Sequence, residues 1–194
     1  DVGDGVPEDN ALALKWYRSA AEKGHTMAQL NLGVMYDEGE GTAESNEEAV
    51  RWYRRAAEQG NPKGQFNLGL MLDKGEGIAA NKSQAITWYT KAAQQGDVSA
   101  QYNLALRLEE GEGTAKDPTA AYFWYTLAAD QGDEDAKNAL EYLRKQMTPR
   151  QLVEANSRLA KAGMALEYAL RRTGPLSMAP SQLGIFSRSD ETVA

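Results

Sequence analysis

Four Trp-Tyr pairs are the residues of this sequence best suited to binding a ligand by stacking. Exposed aromatic rings of this kind stack on sugars or on nucleic-acid bases. The pairs follow one another at intervals of 36 residues: Trp16-Tyr17, Trp52-Tyr53, Trp88-Tyr89 and Trp124-Tyr125. A strict register on one side of a helix, however, favours a place in the hydrophobic core. We therefore expect these aromatic residues to be core residues first.

Gly-acid-Gly tripeptides recur with the same period and raise the question of phosphate or calcium binding. They are Gly3-Asp4-Gly5, Gly39-Glu40-Gly41, Gly75-Glu76-Gly77 and Gly111-Glu112-Gly113. The turns lack the third glycine of a dinucleotide fingerprint and follow predicted helices instead of strands. They also lack the ligand spacing of an EF-hand loop. Helix termination explains them better than ligand binding does.

The counts of reactive residue types leave little room for catalysis. His25 is the only histidine, so the chain has neither a histidine-based triad nor a site with several histidine ligands. There is no cysteine, and no Ser-x-x-Lys motif occurs. The 28 acidic residues place many carboxylates near one another, but none in a recognisable glycosidase context. We predict no enzymatic activity, no metal site and no cofactor.

The Trp-Tyr pairs lie on predicted helices with clear start and stop signals. Before each helix stands a residue whose side-chain oxygen can cap it: Asp9, Ser45, Asn81 and Asp117. Glu48 and Gln84 complete two predicted capping boxes, and Pro118 occupies a first helical position. Each helix is predicted to end at a glycine able to adopt the left-handed conformation: Gly24, Gly60, Gly96 or Gly132.

A second helix is predicted in each period, opening near Thr26, Asn61, Asp97 or Asp133. Ala28, Leu32 and Tyr36 share one face of it at helical spacing. We expect this face to pack on the helix that bears the Trp-Tyr pair. Because one helix pair cannot cover its own apolar side, neighbouring pairs must stack. The fold class is thus all-α.

Two segments together carry a family resemblance. Ala-Gln-Leu-Asn-Leu-Gly-Val-Met-Tyr-(x2)-Gly-Glu-Gly followed by Ala-Val-Arg-Trp-Tyr-Arg-Arg-Ala-Ala-Glu-Gln-Gly resembles the Sel1-like repeat, a relative of the tetratricopeptide repeat. The resemblance implies a right-handed α/α solenoid and an adaptor role, often in bacterial signalling, envelope or host-contact proteins. Ala105 and Ala139 depart from the pattern, which puts the groove chemistry of the last unit in doubt.

The resemblance also places a partner-binding groove on the second helix of each unit. Leu30, Phe66 and Tyr102, with Val34, Leu70 and Leu106, form a predicted apolar strip. Asp37, Asp73 and Glu109 form an acidic strip beside it, and Asn31, Asn67 and Asn103 lie at the flank, where they can bond a bound backbone. The alternative is that the asparagines tie neighbouring helices together and curvature buries the strip. The expected partner is a peptide or helix, basic or apolar.

The organisation predicted for the chain is an array over residues 1–147 that starts within a repeat, a capping helix over 148–172 and a flexible tail over 173–194. The capping helix begins at Thr148-Pro149-Arg150-Gln151, which combines an N-cap, a first-turn proline and a capping-box glutamine. The net charge is −7, and a preceding targeting segment, the compartment and the oligomeric state are left open.

Charge distribution supports one rival function. Residues 1–143 carry 13 basic and 24 acidic side chains, whereas residues 144–172 carry 7 basic and 2 acidic ones. The basic segment favours binding of nucleic acid or an anionic membrane, but the acidic body and the lack of interleaved aromatic residues oppose it. A further alternative is that the chain is the non-catalytic repeat region of a larger signalling or envelope protein.

Overall fold

The computed structural model describes the backbone of residues 9–173 and the side chains of residues 9–162. Within the described backbone all regular structure is helical, with nine α-helices and no strand. Eight helices of 13 residues form the array and a ninth of 25 residues follows it. Their bounds are α1 Asn10–Glu22, α2 Thr26–Glu38, α3 Asn46–Glu58, α4 Pro62–Lys74, α5 Lys82–Gln94, α6 Val98–Glu110, α7 Pro118–Asp130, α8 Glu134–Gln146 and α9 Pro149–Thr173.

The predicted N-caps of the odd-numbered helices α1 to α7 are confirmed. In each case a side-chain oxygen accepts a hydrogen bond from the backbone N–H three residues later, as Asp117 does from Ala120 at 2.9 Å. The capping residues are Asp9, Ser45, Asn81 and Asp117. Each cap satisfies one of the N–H groups that the first helical turn leaves without a partner.

The two predicted capping boxes, at Glu48 and Gln84, do not form. The N–H groups that would receive these side chains, on Ser45 and Asn81, donate instead to carbonyl groups of the preceding helix at 2.8 and 2.7 Å. The Glu48 carboxylate pairs with Arg51 one turn along its own helix. The sequence identifies the N–H donors of Ser45 and Asn81, but it does not predict that their acceptors are carbonyl groups of the neighbouring helix.

The three Gly-acid-Gly turns at Gly39, Gly75 and Gly111 terminate helices, as the sequence predicts, whereas Gly3-Asp4-Gly5 lies outside the described residues. Gly111 caps α6 with φ 77°, a left-handed conformation that other residues rarely adopt. The second glycine, Gly113, also has a positive φ of 75°. A Cβ atom at Gly113 would lie 2.7 Å from the carbonyl carbon of Lys82, at the start of α5. The turns therefore allow adjacent units to approach closely.

The helices stack in one continuous series, since α2 packs on α3, α3 on α4, and so on through α8. The predicted contact face of α2, with Ala28, Leu32 and Tyr36, is buried as expected. The largest fully buried side chains along the series are Tyr53, Tyr89, Tyr125, Leu32, Leu68 and Leu72. The fold is thus an all-α solenoid of repeated helix pairs.

Helix α9 leaves this series and packs against α7. Its predicted capping box is confirmed, because Thr148 N donates to Gln151 Oε1 at 2.9 Å and Gln151 N donates to Thr148 Oγ1 at 3.3 Å. Ala155 is fully buried and Leu152 packs against the same core. The predicted tail over 173–194 lies, beyond Thr173, outside the described residues.

Candidate functional site

Five of the twelve predicted groove residues line one cavity. The cavity has a volume of about 330 Å³ and spans three successive even-numbered helices, α2, α4 and α6. Its lining residues are Leu30, Asn31, Val34, Lys63, Phe66, Asn67, Asp97 and Ser99. Equivalent positions of successive units therefore face a common space, as a binding groove requires.

The predicted apolar strip differs from the expectation at its first position. Leu30 lines the cavity but is only 5% exposed, so its side chain belongs to the core. The other members are half-buried: Val34, Phe66, Leu70, Tyr102 and Leu106. At the position after Leu106, one unit later, Tyr142 is 65% exposed. The strip is therefore buried at Leu30, half-buried through α4 and α6, and exposed at Tyr142.

The two aromatic members of the strip rest on buried tyrosines of the next odd-numbered helix. The ring centroids of Phe66 and Tyr89 are 5.9 Å apart, and those of Tyr102 and Tyr125 are 5.7 Å apart. One side of each strip ring thus packs on the core while the remainder stays accessible. The packed side of each ring agrees with the structural interpretation of the strip. The accessible side is the part that the binding interpretation requires, and binding stays a prediction.

The acidic strip is held by the core and is not freely solvated. Each member accepts a hydrogen bond from the hydroxyl of a tyrosine 16 residues later, at 3.1 Å for Tyr53 to Asp37, 3.5 Å for Tyr89 to Asp73 and 3.0 Å for Tyr125 to Glu109. Burial raises the pKa of Asp37 above its usual value, and the Tyr53 hydrogen bond opposes that rise. Each member of the acidic strip is thus tied to a core tyrosine, and its part in partner binding stays a prediction.

Asp73 has a second partner that its equivalents lack. Arg107 Nε lies 3.1 Å from Asp73 Oδ2, and both side chains are largely buried. The Arg107 guanidinium also contacts Glu110 at 2.8 Å and Glu112 at 2.5 Å. Arg107 stands where the preceding unit has Met71, so this ion pair is specific to the junction of α4 and α6.

The asparagines of the predicted groove fall into two groups. Asn31 and Asn67 line the cavity beside Lys63. Asn103, in contrast, donates from Nδ2 to the carbonyl of Ser99 in its own helix, at 2.8 Å. Asn31 and Asn67 are thus the better placed of the three to bond a bound backbone.

The Trp-Tyr pairs divide between core and surface. The tyrosine is the core residue in the second, third and fourth copies, whereas Trp88 and Trp124 are half-buried. Trp52 is 6% exposed, but Trp16 is 70% exposed, contrary to the expectation for the first copy. Two of the indole rings also make cation–π contacts, Trp52 with Arg55 and Trp88 with Lys91, whose Nζ lies 4.0 Å from the ring centroid.

A glutamine network that the sequence analysis missed joins successive units. Gln65 is buried, donates to the Ala57 carbonyl at 3.2 Å and accepts a bond from Gln95 at 2.7 Å. The same arrangement occurs around Gln29 and Gln101. The signal was present, because a polar residue recurs every 36 residues on an otherwise apolar helix face.

Two kinds of site are absent from the part of the chain that the structure describes. In that part of the chain no group of three or more histidine or acidic side chains is arranged to hold a metal ion. No helix there has both the length and the apolar character needed to cross a bilayer. His25 is exposed at the start of α2 and forms no side-chain cap.

The stacked helix pairs, the fixed period and the cavity across equivalent positions define an α-helical repeat protein. The Sel1 repeat profile matches residues 1–25, 26–61, 62–97 and 98–133. The chain belongs to the Sel1 repeat family. No curated protein matches the chain.

Solved structures of bacterial proteins resemble this fold. A Sel1 repeat protein from Oxalobacter formigenes is 32% identical, with a TM-score of 0.70, over 92% of this chain and 77% of that one. The protective antigen c5321 of uropathogenic Escherichia coli, which displays an SLR fold, is 30% identical, with a TM-score of 0.48, over 93% and 49%. Cysteine rich protein B of Helicobacter pylori is 22% identical, with a TM-score of 0.55, over 71% and 99%.

Proposed function

We propose that this chain is a non-catalytic scaffold that binds an extended peptide or a helix of a partner protein in the cavity across α2, α4 and α6. The observation that carries the proposal is the cavity itself, which brings side chains of α2, α4 and α6 to one space and includes the equivalent pairs Leu30 and Phe66, Asn31 and Asn67, and Lys63 and Ser99. Membership of the Sel1 family supports the scaffold role, because proteins built from such repeats present extended binding surfaces.

The composition of the cavity indicates the kind of partner. Val34 and Phe66 supply apolar contact, and Asn31 and Asn67 supply amide groups that pair with a backbone N–H or C=O. Lys63 is exposed at the cavity and adds one positive charge, and Asp97, whose carboxylate caps α6, adds one negative charge. A segment that presents apolar side chains and unpaired backbone groups, with an acidic residue near Lys63, fits this lining.

Site-specific photocrosslinking followed by mass spectrometry tests the proposal. A benzophenone amino acid is placed at Lys63, which lines the cavity, and in a matched variant at Thr87, which is exposed on α5. We expect a protein crosslink from position 63 and none from position 87 after affinity capture of the full chain. Equal crosslinking from both positions, or crosslinking from position 87 alone, would contradict the assignment of the groove.

Substitution then separates binding from folding. Asn67→Ala should weaken capture of the crosslinked partner roughly fivefold or more, with little change in thermal unfolding. Phe66→Ala should weaken capture and also lower stability, since its ring packs on Tyr89. Tyr89→Ala is the core control and should destabilise the fold most, because Tyr89 is fully buried. A variant of Asn67 that binds normally would place the partner elsewhere.

A further inference from the structure

A second cavity lies where α6, α7, α8 and α9 meet. Its volume is about 220 Å³, and it shares no lining residue with the cavity across α2, α4 and α6. The first turn of α9 contributes to its wall. The other lining residues are Glu109, Lys116, Pro118, Leu143, Gln146 and Met147. We call this space the Glu109 cavity.

Glu109 brings to this cavity a carboxylate with unused acceptor positions. It is half-buried, and it accepts a hydrogen bond from the Tyr125 hydroxyl at 3.0 Å. Among the side chains that the structure describes, it forms no ion pair. A carboxylate has about four acceptor positions, so Glu109 can receive further N–H donors.

The preceding unit shows which group occupies the equivalent space. Asp73 stands 36 residues before Glu109 and accepts the equivalent tyrosine hydroxyl. The guanidinium of Arg107 lies beside it, with Nε 3.1 Å from Asp73 Oδ2 and Nη1 2.8 Å from Glu110 Oε2. Glu110 is in turn the equivalent of Gln146, which lines the Glu109 cavity. One unit earlier, a guanidinium group therefore lies between the positions that border this cavity.

Two substitutions leave the space open between α6 and α8. The equivalent of Arg107 is Leu143, which is buried and carries no charge. The equivalent of Glu110 is Gln146, whose amide oxygen can still accept a hydrogen bond. Because leucine is shorter than arginine, no group of α8 takes the place of the guanidinium. The acceptors of a guanidinium are thus retained while the guanidinium itself is missing.

The first pair of even-numbered helices, α2 and α4, also provides its own cation. A methionine takes the position of Arg107 there, and Lys74, one turn further along α4, acts on the charge of Asp37. The acid of each earlier pair is therefore balanced by a cation from the following even-numbered helix. Glu109 has no such cation, because α8 carries leucine and glutamine at the two positions.

From these contacts we propose that the Glu109 cavity binds an arginine side chain of a partner protein. Its guanidinium donates to the Glu109 carboxylate and to the Gln146 amide oxygen. Its aliphatic stem lies on Leu143 and Met147. A planar fork of N–H donors matches two adjacent acceptors better than a lysine ammonium does. Lys116, exposed at the same cavity, favours a segment that carries an acidic residue next to the arginine.

Binding of a short peptide tests this assignment. Acetyl-Gly-Arg-Asp-Gly-amide is titrated into the full, ¹⁵N-labelled chain, and NMR follows the side-chain amide signal of Gln146. We expect saturable shifts of this signal. The matched peptide has citrulline in place of arginine, which keeps nearly the same shape but carries no charge. Its affinity should be lower by roughly tenfold or more, because the charge-assisted hydrogen bonds are lost.

Variants of the chain locate the binding. Glu109→Gln keeps an oxygen that can accept the Tyr125 hydroxyl, so the melting temperature should change little while peptide affinity falls roughly tenfold or more. Glu141→Gln removes an exposed acid of α8 outside the cavity and should bind the peptide normally. Leu143→Arg should place a guanidinium in the cavity, as Arg107 does in the preceding unit, and abolish binding.

Four results would overturn the proposal. They are the absence of saturable binding, equal affinity for the two peptides, normal binding in Glu109→Gln, and normal binding in a Leu143→Arg chain with native circular dichroism. Free L-arginine that binds as tightly as the peptide would instead assign the cavity to the free amino acid. Asn67→Ala should leave these affinities unchanged, because Asn67 lines the other cavity, so the outcome is independent of the proposed groove.

Discussion

The hydroxyl of Tyr53 reaches back across the helix pair and donates to the carboxylate of Asp37 at 3.1 Å. Tyr53 is 1% exposed and Asp37 is half-buried, so the bond joins a core residue of α3 to the groove side of α2. The equivalent bond from Tyr89 is longer, at 3.5 Å, and its acceptor Asp73 also pairs with Arg107. Removing each hydroxyl should therefore have unequal effects.

We expect Tyr53→Phe to lower the free energy of unfolding by about 1–3 kcal/mol, because a half-buried carboxylate loses its donor. Tyr89→Phe should cost less, since Asp73 keeps the guanidinium of Arg107 at 3.1 Å. Urea unfolding followed by circular dichroism measures both values. A loss for Tyr89→Phe equal to or larger than that for Tyr53→Phe would show that these bonds do not contribute as the geometry indicates.

Alkaline pH should unfold the array. Burial, the main cause, and the neighbouring acids raise the pKa values of the Tyr53, Tyr89 and Tyr125 hydroxyls above the ordinary value of about 10. The folded chain then holds these protons more tightly than the unfolded chain, so stability is full below pH of about 10 and falls as pH rises above it. Tyrosinate absorbance at these positions should appear together with loss of helical circular dichroism.

A control separates the buried hydroxyls from the exposed one. Tyr142→Phe should remove an exposed hydroxyl and leave the alkaline unfolding midpoint unchanged, because Tyr142 makes no contribution to the core. Full tyrosinate absorbance with native circular dichroism would contradict the burial of the three hydroxyls.

The glutamine network should contribute measurably to stability. Gln101 donates to the Ala93 carbonyl at 3.2 Å and accepts from Gln131 at 2.8 Å. Gln101→Met keeps the length of the side chain and removes both bonds, so the free energy of unfolding should fall by about 1–2 kcal/mol. The matched variant Gln84→Met lies on an exposed position and should change it by less than about 0.5 kcal/mol. Equal changes in the free energy of unfolding for the two variants would show that the glutamine hydrogen bonds do not stabilise the array.

The contact of α9 with α7 should stabilise the end of the array. Ala155 is fully buried, whereas Ala160 is exposed on the same helix. Ala155→Asp should lower the thermal midpoint and expose α9 to proteolysis, because a carboxylate would enter the core. Ala160→Asp should leave both unchanged. Deletion of residues 148–172 should lower the thermal midpoint as Ala155→Asp does. An unchanged thermal midpoint after this deletion would show that α9 does not cap the array.

Nucleic-acid binding should be weak at physiological salt. Arg158 is engaged with Glu154 at 2.8 Å and with Asp117 at 3.5 Å, which leaves its guanidinium less available to phosphate. Titration with double-stranded DNA should show no saturation. Tight binding with a steep salt dependence that disappears on joint substitution of Arg150, Arg158 and Lys161 would instead support the rival function.

Local features of this fold were predictable from sequence. A cap such as Asp117 and a terminating glycine such as Gly111 act on backbone groups within a few residues, so the sequence holds both partners. The capping box at Glu48 failed because the competing acceptor, the carbonyl of Tyr36, belongs to another helix. Pairing across helices depends on geometry that the periodicity of one helix does not specify.

The groove shows the same division. Periodicity predicts Phe66 and Asn67 on the groove face of α4, and both line one cavity, while their part in binding stays a prediction. The burial of Leu30 and the tie of Asp37 to Tyr53 were not predicted, since each depends on which helix covers that face. Trp16 makes the point most clearly, because it is identical in type to Trp52 and differs only in its neighbours.

The uniform joints between units have a genetic consequence. Residues 62–97 form one matched copy, so a tandem duplication of this segment would carry the Gly69–Tyr89 contact and the bond from Gln95 to Gln65 within the added copy. Unequal recombination can therefore lengthen or shorten the gene by whole copies without any compensating point mutation. A copy that began with an odd-numbered helix would not fit directly after α8, because Glu141 stands there in place of the glycine or alanine that faces the tyrosine in the other units.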